Sequence, residues 1–129
     1  MKDTLRPGVS LTEEWTVTPE MSPPHLDVAV LATPWMLGLV EQTSLDAIRA
    51  YLEDFETIVG TGMTIKHLAV AHAGEVVTVT STLTGVGRRL TFDGIITGER
   101  GPIGTVALES AVIDKRRFAR SVAALPPDD

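Results

Sequence analysis

The fold turns on residues 33–53, Thr33-Pro34-Trp35-Met36-Leu37-Gly38-Leu39-Val40-Glu41-Gln42-Thr43-Ser44-Leu45-Asp46-Ala47-Ile48-Arg49-Ala50-Tyr51-Leu52-Glu53. At 3.6 residues per turn, Leu37, Val40, Ser44, Leu45, Ile48 and Leu52 form one stripe, while Gln42, Asp46, Arg49 and Glu53 lie opposite. Thr33 suits the N-cap and Pro34 the first helical position. The spacing predicts a helix to about Leu52, roughly 28 Å long. Glu41 falls inside the apolar stripe, between Leu37 and Leu45. A carboxylate against a core is costly unless it is paired or has a function; at the stripe's edge it can bend out to water. Both readings stand on spacing alone.

Working outward, Val9–Thr18 alternates as a strand, with Leu11, Trp15 and Val17 against Thr12, Glu14 and Thr16. Pro19, Pro23 and Pro24 make Pro19–Asp27 a loop. Beyond the helix, four strands are predicted: Ile58–Ala73, Glu75–Val86, Arg88–Gly98 and Ile103–Ile113. Turn signals at Ala73-Gly74, Gly85–Gly87 and Gly101-Pro102 separate them. Asp114–Leu125 suits a short helix, and Pro126–Asp129 is expected to fray. A single long amphipathic helix needs a curved sheet to wrap it. The order implies an α+β hot-dog fold: a long central helix wrapped by a curved antiparallel sheet of about five strands. Such a sheet leaves an edge, and edges invite pairing, so a homodimer or a dimer of dimers is expected.

The 129 residues suit one domain, 1–129, with a real core. An apolar fraction of 43% and a charged fraction of 22% read as globular. The chain has no cysteine, which excludes disulfides and thiolate metal sites; no metal is expected. Met1–Ser10 lacks the apolar core of a signal peptide, and no apolar run approaches the ~20 residues that span a bilayer. A cytoplasmic protein without a membrane partner is expected. The net charge of −6 argues against nucleic acid. Positive charge is nonetheless clustered, at Arg88-Arg89 and at Lys115, Arg116, Arg117 and Arg120. Such clusters suit a small phosphorylated ligand, although any one of these residues reads equally as a solvated charge.

Period-two parity puts His67 on the face of Met63 and Ile65, toward the helix, and His72 on the opposite face with Lys66. An inward histidine is commonly a satisfied core residue. Together with an inward Glu41 it would suit a base and its orienting partner. His25, in the proline-rich loop, carries no argument. Thr33 reads either as a cap or as a hydroxyl facing a reacting centre, with the free N–H of Trp35 or Met36 available to an oxyanion. Gly60-Thr61-Gly62 reads either as a strand bulge or as backbone that a ligand approaches closely. Thr33 and Glu41 are about 12 Å apart along the helix. A shared site therefore needs His67 between them or Glu41 from a partner chain.

The stretch Ala32-Thr33-Pro34-Trp35-Met36-Leu37-Gly38-Leu39-Val40-Glu41 resembles the helix start of hot-dog thioesterases of the fluoroacetyl-CoA thioesterase type. Gly60-Thr61-Gly62-Met63-Thr64-Ile65-Lys66-His67 is similar to the strand that follows; Gly87-Arg88-Arg89-Leu90, and Ala111-Val112-Ile113 with Phe118, match further along. The resemblance implies hydrolysis of a small acyl-CoA, with Thr33, Glu41 and His67 as the catalytic trio. Gly60 would lie at the thioester oxygen. No cofactor is implied, since coenzyme A is part of the substrate. The basic residues Arg88, Arg89, Lys115, Arg116 and Arg117 become candidates for its phosphates. Two departures point away from the fluorinated substrate. Ser110 stands where the family enzyme has arginine, and Pro19–Ala32 contains no phenylalanine for a lid. The alternative is a non-catalytic acyl-CoA binder on the same fold. A hydratase of the related type would show an Asp followed five residues later by His, and no Asp here has one.

Overall fold

The central helix starts one residue before the predicted Pro34 and ends earlier than predicted. In the computed structural model, which describes residues 1–127, α1 spans Thr33–Ile48 and a 3-10 turn, Arg49–Tyr51, follows it. The last turn tightens because a helix end has carbonyls without partners, and the Leu52 N–H reaches back to Arg49 O. Asp128 and Asp129, the end of the tail expected to fray, lie outside the described residues. The cap position belongs to Ala32, in extended conformation, and not to Thr33. The N–H groups of Trp35 and Met36 both donate to Ala32 O, at 3.0 and 3.2 Å. A Thr33 cap would have needed those donors, so the two bonds correct the capping expectation; an oxyanion would have to compete with Ala32 O for the same N–H groups.

Five strands form one antiparallel sheet in the order β1-β3-β4-β5-β2. They are β1 Ser10–Thr16, β2 Glu56–His67, β3 Val76–Gly85, β4 Leu90–Gly98 and β5 Gly101–Asp114. Strand β2 is shorter than the predicted Ile58–Ala73. After His67, the N–H groups of Leu68 and Ala69 both turn onto Ile103 O. His72 is therefore off the strand, and bridges to Val30 instead. A short helix α2, Lys115–Ala123, follows β5, and the Asp114 side chain caps it by accepting from the Arg116 and Arg117 N–H groups. Among the described residues, no helix is long and apolar enough to cross a membrane.

The core lies between α1 and the concave face of the sheet. Met36, Leu39, Val40, Thr43, Ser44 and Ile48 form the buried face of the helix. They pack with Val77, Val79, Leu83, Phe92, Ile96, Val106 and Leu108. Leu37, Glu41 and Leu45 flank that face and are half-buried. Gly94 sets how closely helix and sheet approach, since a Cβ there would stand 2.5 Å from Val40 Cγ1.

The acid that the fold buries is Glu75, 7% exposed. Its carboxylate accepts the N–H groups of Glu99 at 3.0 Å and His72 at 3.2 Å, with Arg100 at 3.9 Å. The Glu99 N–H chiefly, opposed by burial and helped by the His72 N–H, holds its pKa below the usual glutamate range. A depressed pKa contributes stability that is present above the unfolded-state value and is lost as pH falls through the folded one. Glu75→Gln is expected to cost about 2 kcal/mol at neutral pH. It is also expected to flatten the loss of stability on acidification, as measured by urea unfolding across the acid range.

Candidate active site

Two of the sequence-predicted residues meet at the start of α1. Thr33 Oγ1 lies 2.8 Å from His67 Nδ1. The threonine hydroxyl has no capping role to compete for it, and β2 ends where the helix begins. His67 sits opposite Gly104 of β5, as Ile65 sits opposite Val106 and Met63 opposite Leu108. Val106 and Leu108 are buried, so the expected face is correct. The expected burial is not: His67 and Thr33 are both exposed, because β2 is an edge strand that nothing in the protomer covers.

A cavity of about 620 Å³ opens beside this pair. Pro23, Pro24, Leu26, Val30, Trp35 and Val70 wall it. His25, from the proline-rich loop, also lines it.

Glu41 is elsewhere. Its carboxylate rests over Gly60, where a Cβ would stand 2.8 Å from Glu41 Oε2. Gly60 pairs with the buried Ser110, and the register then slips at Thr61. Gly60-Thr61-Gly62 thus forms the strand bulge, one of its two readings. The extra residue switches parity, so even-numbered Gly60 and odd-numbered His67 share the concave face. Their β5 partners, Ser110 and Gly104, lie six residues apart, roughly 20 Å along the strand. One protomer thus carries Thr33 with His67 at the C-terminal end of β2, and Glu41 with Gly60 roughly 20 Å back along the strand.

The basic residues lie at the Glu41 end, where β4 starts and β5 finishes. Arg89 pairs with Glu109 at 3.6 Å. Arg116 pairs with Asp114 at 3.6 Å and stacks over Phe55 at 4.6 Å. Lys115 shares a small depression with Arg49, Glu53, Asp54 and Glu56, a setting with more acidic than basic side chains and poorly suited to phosphate. Arg88 and Arg117 are exposed, as are the other three.

The family model for fluoroacetyl-CoA-specific thioesterases matches residues 11–116. The chain belongs to this thioesterase family. It is a thioester hydrolase of the hot-dog fold, and its substrates are acyl-CoA thioesters. The fluoroacetyl-CoA thioesterase of Streptantibioticus cattleyicolor is 34% identical over 98% of this chain and 99% of its own length. A crystal structure of the fluoroacetyl-CoA thioesterase FlK superposes with a TM-score of 0.87 at 32% identity, covering 97% of this chain and 100% of that one. A thioesterase superfamily member from Thermus thermophilus superposes with a TM-score of 0.81 at 26% identity, covering 94% of this chain and 93% of its own. The thioesterase fold thus extends over nearly all of the chain.

Proposed function

We propose that hydrolysis takes place at a seam between two copies of the chain. Thr33 and His67 come from one protomer, and Glu41 and Gly60 from its partner. One observation carries this reading: the two pairs sit roughly 20 Å apart along one unpaired strand edge. The β1 edge is blunted in its middle by Glu13 and Glu14. The β2 edge runs 12 residues and carries only Lys66 and His67 beyond Glu56 at its start. Trp35, Met63, Leu68 and Val70 are exposed beside it. A long, nearly uncharged edge is a template for another strand. A two-fold axis through antiparallel β2 strands sets the end of one against the start of the other. The Thr33–His67 pair then faces Glu41 of the partner subunit. Arg88 and Arg89 of the partner subunit approach the same site, the better placed of the phosphate candidates.

In this site Thr33 fixes the imidazole and the position of the carbonyl. Glu41 is the attacking carboxylate, or the base for an attacking water. In the first route, the Glu41–carbonyl bond forms and the C–S bond breaks, giving a mixed anhydride and the CoA thiolate. His67 protonates the thiolate and then deprotonates the water that hydrolyses the anhydride. In the second route, water adds directly, and the proton still reaches the sulfur through His67. Hydroxylamine attacks thioesters as well, so the distinguishing product is a hydroxamate on the Glu41 side chain, detected by peptide mass, which the first route alone can give.

The acyl group is one other than fluoroacetyl, because Ser110 and the phenylalanine-free segment Pro19–Ala32 lack the features expected for that substrate. The test is release of the CoA thiol across a panel of acyl-CoAs, with Thr33→Val as the variant. Loss of the hydroxyl frees the imidazole, and turnover is expected to fall about 100-fold with unchanged circular dichroism. Undiminished turnover would remove the hydroxyl–imidazole contact from the machinery.

A further inference from the structure

We infer that the cavity beside Thr33 and His67 holds the acyl arm of the substrate, and that this arm is apolar and bulky: branched or aromatic, with about four to eight carbons. The inference rests on the hydrolysis reading above, and gives it a substrate class.

A thioester held at Thr33 and His67 has two arms to accommodate. The coenzyme arm contains two amides and ends in phosphates, so it needs hydrogen-bond partners and cations. The cavity walls offer few of either. Pro23 and Pro24 have no N–H, Leu26, Val30 and Val70 present carbon, and beyond Thr33 and His67 the polar side chains are only Ser22, His25 and the Trp35 indole. None of the clustered cations lines the cavity; within the protomer they lie at the end of the sheet where β4 begins. The coenzyme arm therefore runs along the seam toward them, and the cavity is left for the acyl arm.

Size decides what kind of acyl arm. About 620 Å³ is within the range of roughly 300–1,000 Å³ typical of sites for drug-sized ligands. A two-carbon acyl group would leave most of it empty, and an extended fatty-acyl chain is longer than a space of this volume is across. The walls are also pinned. Leu31 N–H donates to Ala71 O at 2.8 Å, Ala73 N–H to Ala29 O at 2.9 Å and Ala32 N–H to Met21 O at 2.8 Å. Two consecutive prolines stiffen the facing segment. A cavity built this way does not collapse onto a small guest.

The experiment compares kcat/KM for acetyl-, isobutyryl-, isovaleryl-, phenylacetyl- and palmitoyl-CoA. The wild type is set beside Leu26→Trp and Val70→Trp. Both residues are about half exposed, at 48% and 52%, so the larger side chains fill the cavity without invading the core. Each methylene moved from water into the cavity is expected to raise kcat/KM about fourfold. Isovaleryl-CoA then exceeds acetyl-CoA by about fifty-fold, and palmitoyl-CoA falls away. Each tryptophan is expected to cut the isovaleryl-to-acetyl ratio about tenfold. A preference for acetyl-CoA, with a ratio unmoved by either variant, would overturn the inference. If no acyl-CoA releases thiol, the hydrolysis reading is what fails. Binding of non-hydrolysable thioether analogues then decides the cavity. Tighter binding of the isovaleryl analogue that Leu26→Trp abolishes upholds the assignment, and equal binding of both analogues ends it.

Discussion

Glu41→Gln protomers paired with His67→Ala protomers are expected to regain activity that neither variant has alone. Each substitution by itself is expected to lower kcat at least ~100-fold, the low end for a positioned acid–base or nucleophilic group. In a dimer with one copy of each, one seam site carries both lesions and the other carries neither. Random mixing then restores about a quarter of wild-type sites. The measurement is thiol release by differently tagged, co-expressed chains, with the mixed dimer purified through both tags. The isolated mixed dimer is expected at about half of wild-type turnover. Recovery of this kind cannot arise if Glu41 and His67 of the same protomer work together. A purified mixed dimer that stays inactive would refute the shared site, even if each single variant is dead. The roughly 12 Å between Thr33 and Glu41 along α1 makes the same-protomer arrangement the less accessible one.

Gly104→Ala is expected to be the most damaging single methyl addition in the chain. The new Cβ would stand 2.5 Å from Met36 Cε and closer still to the Lys66 carbonyl oxygen. The methionine end can swing aside. The carbonyl belongs to the backbone of β2 and cannot move unless the strand leaves β5. Overpacking of this kind costs about 3 kcal/mol, or a fall in Tm of about 10 °C for a domain of this size. The displaced residues include His67, so thiol release falls in step with stability. Gly38→Ala is the matched control. It lies mid-helix, with nothing within 4 Å of its added Cβ. It is expected to stabilise by about 0.5–1 kcal/mol, by favouring helix over the unfolded chain. Thermal unfolding of the two variants beside the wild type checks both signs. A Gly104→Ala protein that melts with the wild type would mean that β2 and β5 adjust to each other freely.

How far the site was legible in the sequence varies residue by residue. The order of one strand, a long helix and four more strands follows from periodicity and turn residues alone, and the structure has that order. The face of His67 was legible too, because Met63, Ile65 and His67 follow the bulge in unbroken alternation. Its exposure was not, because alternation says which way a side chain points and not whether anything covers it. Thr33 offered two roles, and only coordinates show that the Ala32 carbonyl had already taken the capping donors. The burial of Glu75 was hidden because Ala73-Gly74 beside it signals a turn, and turns are ordinarily solvated. Glu13 is a second acid legible from spacing alone. It falls between Leu11 and Trp15, in the apolar phase of β1. One of its carboxylate oxygens is buried without a partner. Burial pushes its pKa above the ordinary range, and Asp46 beside it adds to the rise while Thr43 opposes it. The acid that the spacing of α1 singled out, Glu41, is only half-buried, because the helix turns its Val40 and Ser44 side squarely to the sheet.

The extra residue at Thr61 has a bearing on how this strand can vary. Between Gly60 and His67 the chain must change phase once, or either the glycine under the carboxylate or the imidazole ends up on the convex side. A single insertion or deletion there inverts every side chain beyond it, whereas a change of two residues leaves the phase intact. The spacing of the two glycines from the histidine is therefore constrained in its arithmetic, odd or even, more tightly than in its composition.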